Sequence, residues 1–280
     1  ASKDKVIIVG AGIGGLASSV RLSHLGYQVS VFEKAKNAGG KLRTITGSTG
    51  DIDVGPTVLT LLPIFKKLFK SVGEDIFEHI ELVRQKIIAR HWWPDGTSLD
   101  LHDNFEASRD AILSFSGPNS AHEFEKYFFD TKDLFSCFET PVMQNPKPSL
   151  LDMNRAVLSN PRILTKIHPY RSLSGSLKSK FSDYRLQQLF ARYATYVGGS
   201  PLESPALLSL IWQAEARGVW SIKGGMKKLA SVLEKLALDR GASFTYDSEV
   251  KEFNTEGDRL VSITDNLGNK HRADKFIFNG

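Results

Sequence analysis

The residues that could do chemistry begin at Gly10. Gly10-Ala11-Gly12-Ile13-Gly14-Gly15 is a G-x-G-x-x-G loop, and an acid, Glu33, follows 18 residues past Gly15. A loop of this kind ahead of a helix offers unpaired backbone N–H groups and the positive end of a helix dipole, which together suit a diphosphate. Gly10 permits a tight turn, Gly12 lets the backbone approach a pyrophosphate, and Gly15 lets helix and strand sit close. A carboxylate at Glu33 can accept hydrogen bonds from ribose hydroxyls. Dinucleotide binding is the reading that follows, and a glycine-rich turn with no ligand is the plainer alternative. Other chemistry has little support. The seven histidines show no His-x-x-x-His or His-x-His spacing, so no metal site is expected. The single cysteine, Cys137, lies among Leu134, Phe135 and Phe138 and reads as a small buried apolar residue. Asp53 reads as a structural residue of its turn, and no histidine–carboxylate pair reads as a general base.

These residues need elements to position them. Val6-Ile7-Ile8-Val9 is an uninterrupted apolar run, as in a strand buried on both faces. Leu16, Val20, Leu22 and Leu25 recur at helical spacing up to Gly26, and Gln28–Phe32 reads as a second strand. Gly39-Gly40-Lys41 is a loop open to a close ligand. Arg43–Thr46 and Ile52–Val54 read as short strands leading to the stiff Gly55-Pro56-Thr57 turn. Thr57–Val72 reads as a helix with Lys66, Lys67 and Lys70 on its outer face, packed on the domain or turned to anionic lipid. Lys86–Trp93 and Thr97–Leu101, joined by Pro94-Asp95-Gly96, read as a hairpin with Trp92 and Trp93 on opposite faces.

The middle of the chain is mainly helical in pattern from Phe105 to Asn160. Phe124, Tyr127, Phe128, Phe135 and Phe138 fall on one helical face, read first as core and alternatively as the lining of a long apolar channel. Arg155–Arg192 holds eight basic residues against one acid, Asp183, within a chain of net charge +5. Interleaved aliphatic residues fit contact with an anionic bilayer; a solvated basic face is the alternative, and nucleic acid is not expected. Later, Lys227–Arg240 reads as an amphipathic helix, and Ser243–Tyr246, Val261–Thr264, Lys270–Asp274 and Lys275–Phe278 as strands. With 280 residues, 41% hydrophobic and 24% charged, the chain is of globular composition. One cysteine excludes a disulfide framework, no apolar signal region is expected ahead of Lys5, and no run approaches the ~20 apolar residues of a membrane span.

GAGIGG, Glu33, Gly39-Gly40-Lys41 and Asp51–Thr57 together resemble the flavin amine oxidase superfamily, and more narrowly its phytoene/carotenoid desaturase branch. Leu186–Ile211, with its Tyr196-Val197-Gly198-Gly199-Ser200-Pro201 turn, resembles that branch specifically. Gly224-Gly225-Met226 and Glu249-Val250 resemble the superfamily's return to the flavin domain. The resemblance implies an α/β fold. A Rossmann-like FAD-binding domain of the glutathione-reductase/amine-oxidase type would span 1–80 and 217–280, with an α+β substrate domain over 81–216. It implies FAD rather than NAD. Gly10, Gly12, Ile13, Gly14 and Gly15 would then line the pyrophosphate, and Glu33, followed by Lys34, the adenosine ribose. Gly40 and Lys41 would lie along the cofactor, Gly55, Pro56 and Thr57 near the isoalloxazine, and the Val250 backbone at the adenine.

The implied reaction is hydride transfer from a saturated carbon beside a polyene to flavin N5, closest to the bacterial hydroxycarotenoid 3,4-desaturases and so at C3–C4 of a 1-hydroxycarotenoid. No catalytic residue is assigned. Phytoene desaturation and amine oxidation are alternative activities. A prenyl-binding module like the Rab escort proteins is the non-enzymatic one, against which the intact glycine loop weighs. The implied setting is the bacterial cytoplasm, with peripheral membrane association through Arg155–Arg192 and a long apolar carotenoid as substrate. Members of the family continue well past the position of Gly280, so the chain is expected to be an N-terminal portion.

Overall fold

The computed structural model describes residues 4–168 and 170–280. β1 (Lys5–Val9), α1 (Ile13–His24) and β2 (Gln28–Phe32) form where the sequence predicts them. β1 and β2 pair in parallel, from Lys5 opposite Gln28 to Val9 opposite Phe32. α1 turns Leu16 and Val20 inward and stops at Gly26, which takes φ 85°. Leu25, expected on the same stripe, is exposed. It follows the last helical residue, and the inward positions before it belong to Ser19 and Ser23. Their hydroxyls donate to the Leu16 and Ser19 carbonyls at 2.8 and 2.7 Å, which lets small polar residues sit in an apolar interface.

β3 (Thr44–Gly47) and β4 (Gly50–Asp53) form an antiparallel ribbon. α2 (Leu62–Lys70) begins at Leu62 rather than Thr57. Leu59 instead exchanges two backbone hydrogen bonds with Trp220, at 2.8 and 2.9 Å. Leu61 then turns through φ 52°, and Pro63 sits in the first helical turn, where its missing N–H costs nothing. α3 (Ile76–His79) and β5 (Leu82–Arg84) follow.

β6 (Ile87–Trp92) and β7 (Ser98–His102) make the expected hairpin, with Gly96 at φ 81° in its turn. α4 (Phe105–Phe138) is capped by the Asn104 side chain and breaks at Gly117, φ 84°, ahead of Pro118. α5 (Leu150–Ser159) starts on a Ser149/Asp152 capping box. α6 (Leu164–Ile167), α7 (Leu173–Lys180), α8 (Tyr184–Ala191) and α9 (Trp212–Ala216) complete this part. On either side of the Gly198-Gly199 turn the chain is drawn into tighter 3₁₀ turns over Arg192–Val197 and Ala206–Ile211. Its core is aromatic. Phe124, Tyr127, Phe181, Phe190 and Trp212 are all at most 1% exposed, with Phe181 stacked on Phe190 at 5.2 Å. The aromatic stripe of α4 is therefore packed core, as first read. Trp93 is buried and donates from its indole to Gln188 at 3.0 Å, while Trp92 faces solvent.

β8 (Trp220–Ile222), α10 (Lys227–Leu238), β9 (Ser243–Thr245), β10 (Val250–Glu256), β11 (Arg259–Asp265), β12 (Lys270–Arg272) and β13 (Lys275–Phe278) close the chain. β10 has no sequence signal beyond Val250, because Lys251 to Glu256 is mostly polar and exposed; pairing with β11 holds it. The backbone contacts divide the chain into two compact units, Ala1–Arg84 with Trp220–Gly280, and Gln85–Val219. β5 pairs with β8 and stays with the first unit, so the division falls a few residues later than the sequence places it.

The first unit is layered. A parallel sheet of order β13-β1-β2-β9 lies at its centre. Val6, Ile8, Val29 and Val31 pack on one face with Leu16 and Val20 of α1 and Leu229 and Leu233 of α10. Ile7 and Phe32 pack on the other with Ile263 of β11, in the antiparallel sheet β10-β11-β12. Two covered faces explain the unbroken apolar run of β1, each buried aliphatic contributing about 1.5–3 kcal/mol.

Candidate dinucleotide-binding site

A cleft of about 1040 Å³ opens in the first unit where β1, β2 and β13 end, with Val9, Phe32 and Asn279 on its wall. The carboxyl ends of parallel strands are where open α/β sheets take ligands. Gly10, Gly12, Ile13, Gly14, Glu33, Lys34, Gly40, Lys41, Gly55, Pro56 and Val250 line it. Gly15 and Thr57 do not. A side chain at Gly15 would meet the Gly10 carbonyl oxygen at 2.0 Å, so that glycine serves the closeness of helix and loop. Thr57 is exposed and off the wall, on the extended segment that replaces the expected first turn of α2.

The loop is clasped from two sides. Gly10 takes φ 96° and donates to the Phe32 carbonyl at 2.8 Å. The Glu33 carboxylate accepts from the Ala11 N–H at 2.6 Å and the Ala35 N–H at 2.9 Å. The Gly39 N–H donates to the Ala11 carbonyl at 2.8 Å. Glu33 is itself 8% exposed. Its carboxylate thus has an internal task that the sequence reading did not assign, with lone pairs left over for another donor.

The remaining walls are close backbone approaches. Gly39 and Gly40 take φ 128° and 58°. A Cβ at Gly55 would stand 1.9 Å from the Lys41 carbonyl oxygen, so only glycine fits there. Asp53 accepts from the Met226 N–H at 2.9 Å at the start of α10, the structural role expected of it. Its other oxygen, Oδ1, is buried with no partner among the described residues. Ser248 Oγ, on the cleft wall, is likewise buried and unpartnered.

Lys34, Lys36, Lys41, Arg43 and Lys227 line the cleft against only two acids, Glu33 and Glu249, a balance suited to an anionic ligand. A backbone cradle that excludes Cβ atoms, an orphan hydroxyl and an excess of cations fit a dinucleotide. Sequence reasoning missed Lys227, Ser248 and Asn279. Asn279 directly follows β13, whose parallel pairing with β1 carries it to the loop.

The second unit holds a buried polar cluster. Glu215 accepts from Arg192 at 2.5 Å, from the Tyr193 hydroxyl at 2.7 Å, and from Tyr196. Burial, and then the Arg192 charge, holds the His91 imidazole below its ordinary range, so it is neutral at pH 7. A hollow of about 520 Å³ in the same unit is lined by Cys137, Asp152 and Arg155 among others. Cys137 is half-buried rather than buried as expected, and that burial pushes its thiol up, as in an unreactive cysteine.

The basic stretch is less free than its composition suggests. Lys166 pairs with Asp130 and Asp133, Lys180 with Asp130, Arg185 with Asp183, and Arg192 with Glu215. Among the described residues, half of its cations are paired with acids, three of which lie outside the stretch. No helix among the described residues is long and apolar enough to cross a membrane.

The layered sheet and glycine loop define a Rossmann-like fold, the class in which nucleotides are held at the carboxyl ends of parallel strands. Residues 8–73 match the model of the NAD(P)-binding Rossmann-like domain. A redesigned putrescine oxidase superposes with a TM-score of 0.67 at 15% identity, over 99% of this chain and 57% of that one, a likeness of fold. The hydroxyneurosporene desaturase of Cereibacter sphaeroides is 41% identical over 276 residues, 99% of this chain and 56% of that protein. The 1-hydroxycarotenoid 3,4-desaturase of Flavobacterium sp. is 31% identical over 98% of this chain and 56% of that protein. The chain is similar to carotenoid desaturases over nearly all of its own length. It spans a little over half the length of these curated relatives.

Proposed function

We propose that the chain binds FAD in the cleft of the first unit and serves the desaturation of an acyclic carotenoid, at C3–C4 of a 1-hydroxycarotenoid. The observation that carries the cofactor half is the glycine cradle, walled by cations, at the ends of the parallel strands. The substrate half rests on relatives named for hydroxyneurosporene and 1-hydroxycarotenoids. The N–H groups of Gly12 to Gly15 would hold the diphosphate, with Lys41 and Lys227 as nearby cations. Glu33 would keep the loop in shape and accept from the ribose with its remaining lone pairs. The Val250 backbone would meet the adenine, and Gly55 and Pro56 the flavin ring. The chemistry supplied by bound FAD is acceptance of a hydride from a saturated carbon beside the polyene, as a proton leaves the neighbouring carbon.

Peripheral membrane contact is part of this reading. Leu151, Leu158 and Leu164 are 60–75% exposed beside Arg155 and Arg162, which are not among the neutralised cations. Apolar and basic side chains presented together suit the surface of an anionic bilayer, in which a long hydrocarbon substrate would reside.

The test is expression of the complete gene in cells that accumulate a hydroxylated acyclic carotenoid or phytoene, followed by pigment absorption spectra. A red shift confined to the hydroxylated precursor supports the proposal. A shift from colourless phytoene moves the activity to the earlier desaturase. No shift in either, with bleaching of the flavin by amines, replaces it with amine oxidation.

A further inference from the structure

The resemblance places all four glycines of the loop along the ligand. Here two of them, Gly12 and Gly14, meet a side chain of the protein itself before anything else. Asn279 donates its backbone N–H to the Val9 carbonyl at 2.8 Å, in register with the end of β1. Its carboxamide reaches over the loop. A Cβ at Gly14 would stand 2.4 Å from Asn279 Oδ1, and Cβ atoms at Gly12 and Gly15 would each stand 3.3 Å from Nδ2. Gly10 meets the Asn279 main chain, its Cβ falling 2.4 Å from the carbonyl oxygen.

Gly14 is the informative case. It lies within α1, and its φ is not in the left-handed region. Alanine at such a position is normally favoured over glycine by helix propensity. The obstacle at Gly14 is the Asn279 carboxamide. That carboxamide also has a chemical opportunity. None of Gly10 to Gly15 carries a polar side chain, and α1 has no side-chain cap. Asn279 lines the cleft, and its amide has no hydrogen-bond partner among the described residues. An amide against a diphosphate loop is a neutral donor that adds to the backbone N–H groups without competing for the anion's charge.

We propose that Asn279 is a positioning residue of the nucleotide site. It fills the space that Gly14 leaves open and donates from its amide to the cofactor diphosphate. The donor role rests on the cofactor reading above; the packing role does not.

The experiment uses the full-length protein, comparing wild type with Asn279→Ala, Asn279→Asp, Gly14→Ala and the double variant Gly14→Ala/Asn279→Ala. Melting of the flavin-free form tests packing. Gly14→Ala is expected to lower the melting temperature in the wild-type background and to leave it unchanged or raise it in the Asn279→Ala background. Equal losses in both backgrounds would overturn the packing claim. Titration with FAD, followed by quenching of flavin fluorescence, tests the donor. Asn279→Ala is expected to weaken binding roughly ten- to a hundred-fold, the range for a hydrogen bond to a charged group. Asn279→Asp is expected to weaken it further, by an increment that shrinks as salt is added. Unchanged affinity in Asn279→Ala would overturn the donor role. A wild-type protein that takes up no FAD would overturn it together with the cofactor reading, while the melting comparison would still decide the packing.

Discussion

Glu33 separates two accounts of the nucleotide site, because its carboxylate is engaged by the protein before any ligand arrives. It accepts the Ala11 N–H at 2.6 Å and the Ala35 N–H at 2.9 Å. Ala11 is fully buried, so its N–H has no recourse to water once the acceptor is removed. Hydrogen bonds to a charged group contribute about 1.5–3 kcal/mol each, and an orphaned buried donor costs about 1–3 kcal/mol. Glu33→Gln keeps one amide oxygen for one of the two N–H groups and turns an NH₂ toward the other. It should cost about 3 kcal/mol. The shift is about 2–4 °C per kcal/mol for 150–250 residues and shrinks in proportion for a longer chain, so the flavin-free full-length protein should melt on the order of 3–6 °C lower. Differential scanning calorimetry of the full-length protein stripped of flavin is the assay. A variant that loses flavin affinity but melts with wild type would refute the internal role and leave Glu33 as a ribose ligand alone.

Other outcomes follow from the same geometry. Arg185 holds the Asp183 carboxyl at about 2, below its ordinary value of 3.8, with a further bond from Ser116 at 2.5 Å. A depressed folded-state value stabilises above the unfolded one, so about 2 kcal/mol of stability should disappear as pH falls from about 4 to about 2. Urea melts across that range should show the loss in wild type and a flatter profile in Asp183→Asn. Glu215→Gln removes the charge that Arg192 and two tyrosines address and should cost about 3–5 kcal/mol by chemical denaturation. A cost below 1 kcal/mol would mean that Arg192 finds water there. Gly55→Ala should cost roughly 1–3 kcal/mol through its clash with the Lys41 carbonyl, seen as a lower denaturation midpoint at unchanged slope. Arg155→Glu with Arg162→Glu should reduce flotation with phosphatidylglycerol vesicles, and equal flotation would remove this face from the membrane.

Local order was legible wherever one residue type has one physical use. The β-branched run of β1, the glycine loop and the Pro94-Asp95-Gly96 turn specified a buried strand, a strand-to-helix turn and a hairpin, and each formed. The features that escaped depend on partners distant in sequence. Leu59 is apolar at helical spacing with Leu62 and Phe65, yet it pairs with Trp220 and leaves α2 to start later. β10 is polar along most of its length and exists because β11 lies beside it.

The charge of Arg155–Arg192 was read as a run, but Asp130, Asp133 and Glu215 come from other elements to meet it. Within the site, the glycine positions were visible and the reasons for some of them were not. Gly14 and Gly55 leave room for the Asn279 carboxamide and the Lys41 carbonyl, contacts that no local pattern encodes.

The measurement that bears most directly on the central claim is anaerobic mixing of the purified full-length protein, as isolated with its own cofactor, with a hydroxylated acyclic carotenoid in vesicles. Flavin and polyene bands are followed together. The account predicts loss of the yellow flavin band in step with a red shift of the polyene, one new conjugated double bond for each flavin reduced. A protein that carries bound flavin, and whose flavin and polyene spectra both stay unchanged on mixing, would contradict it.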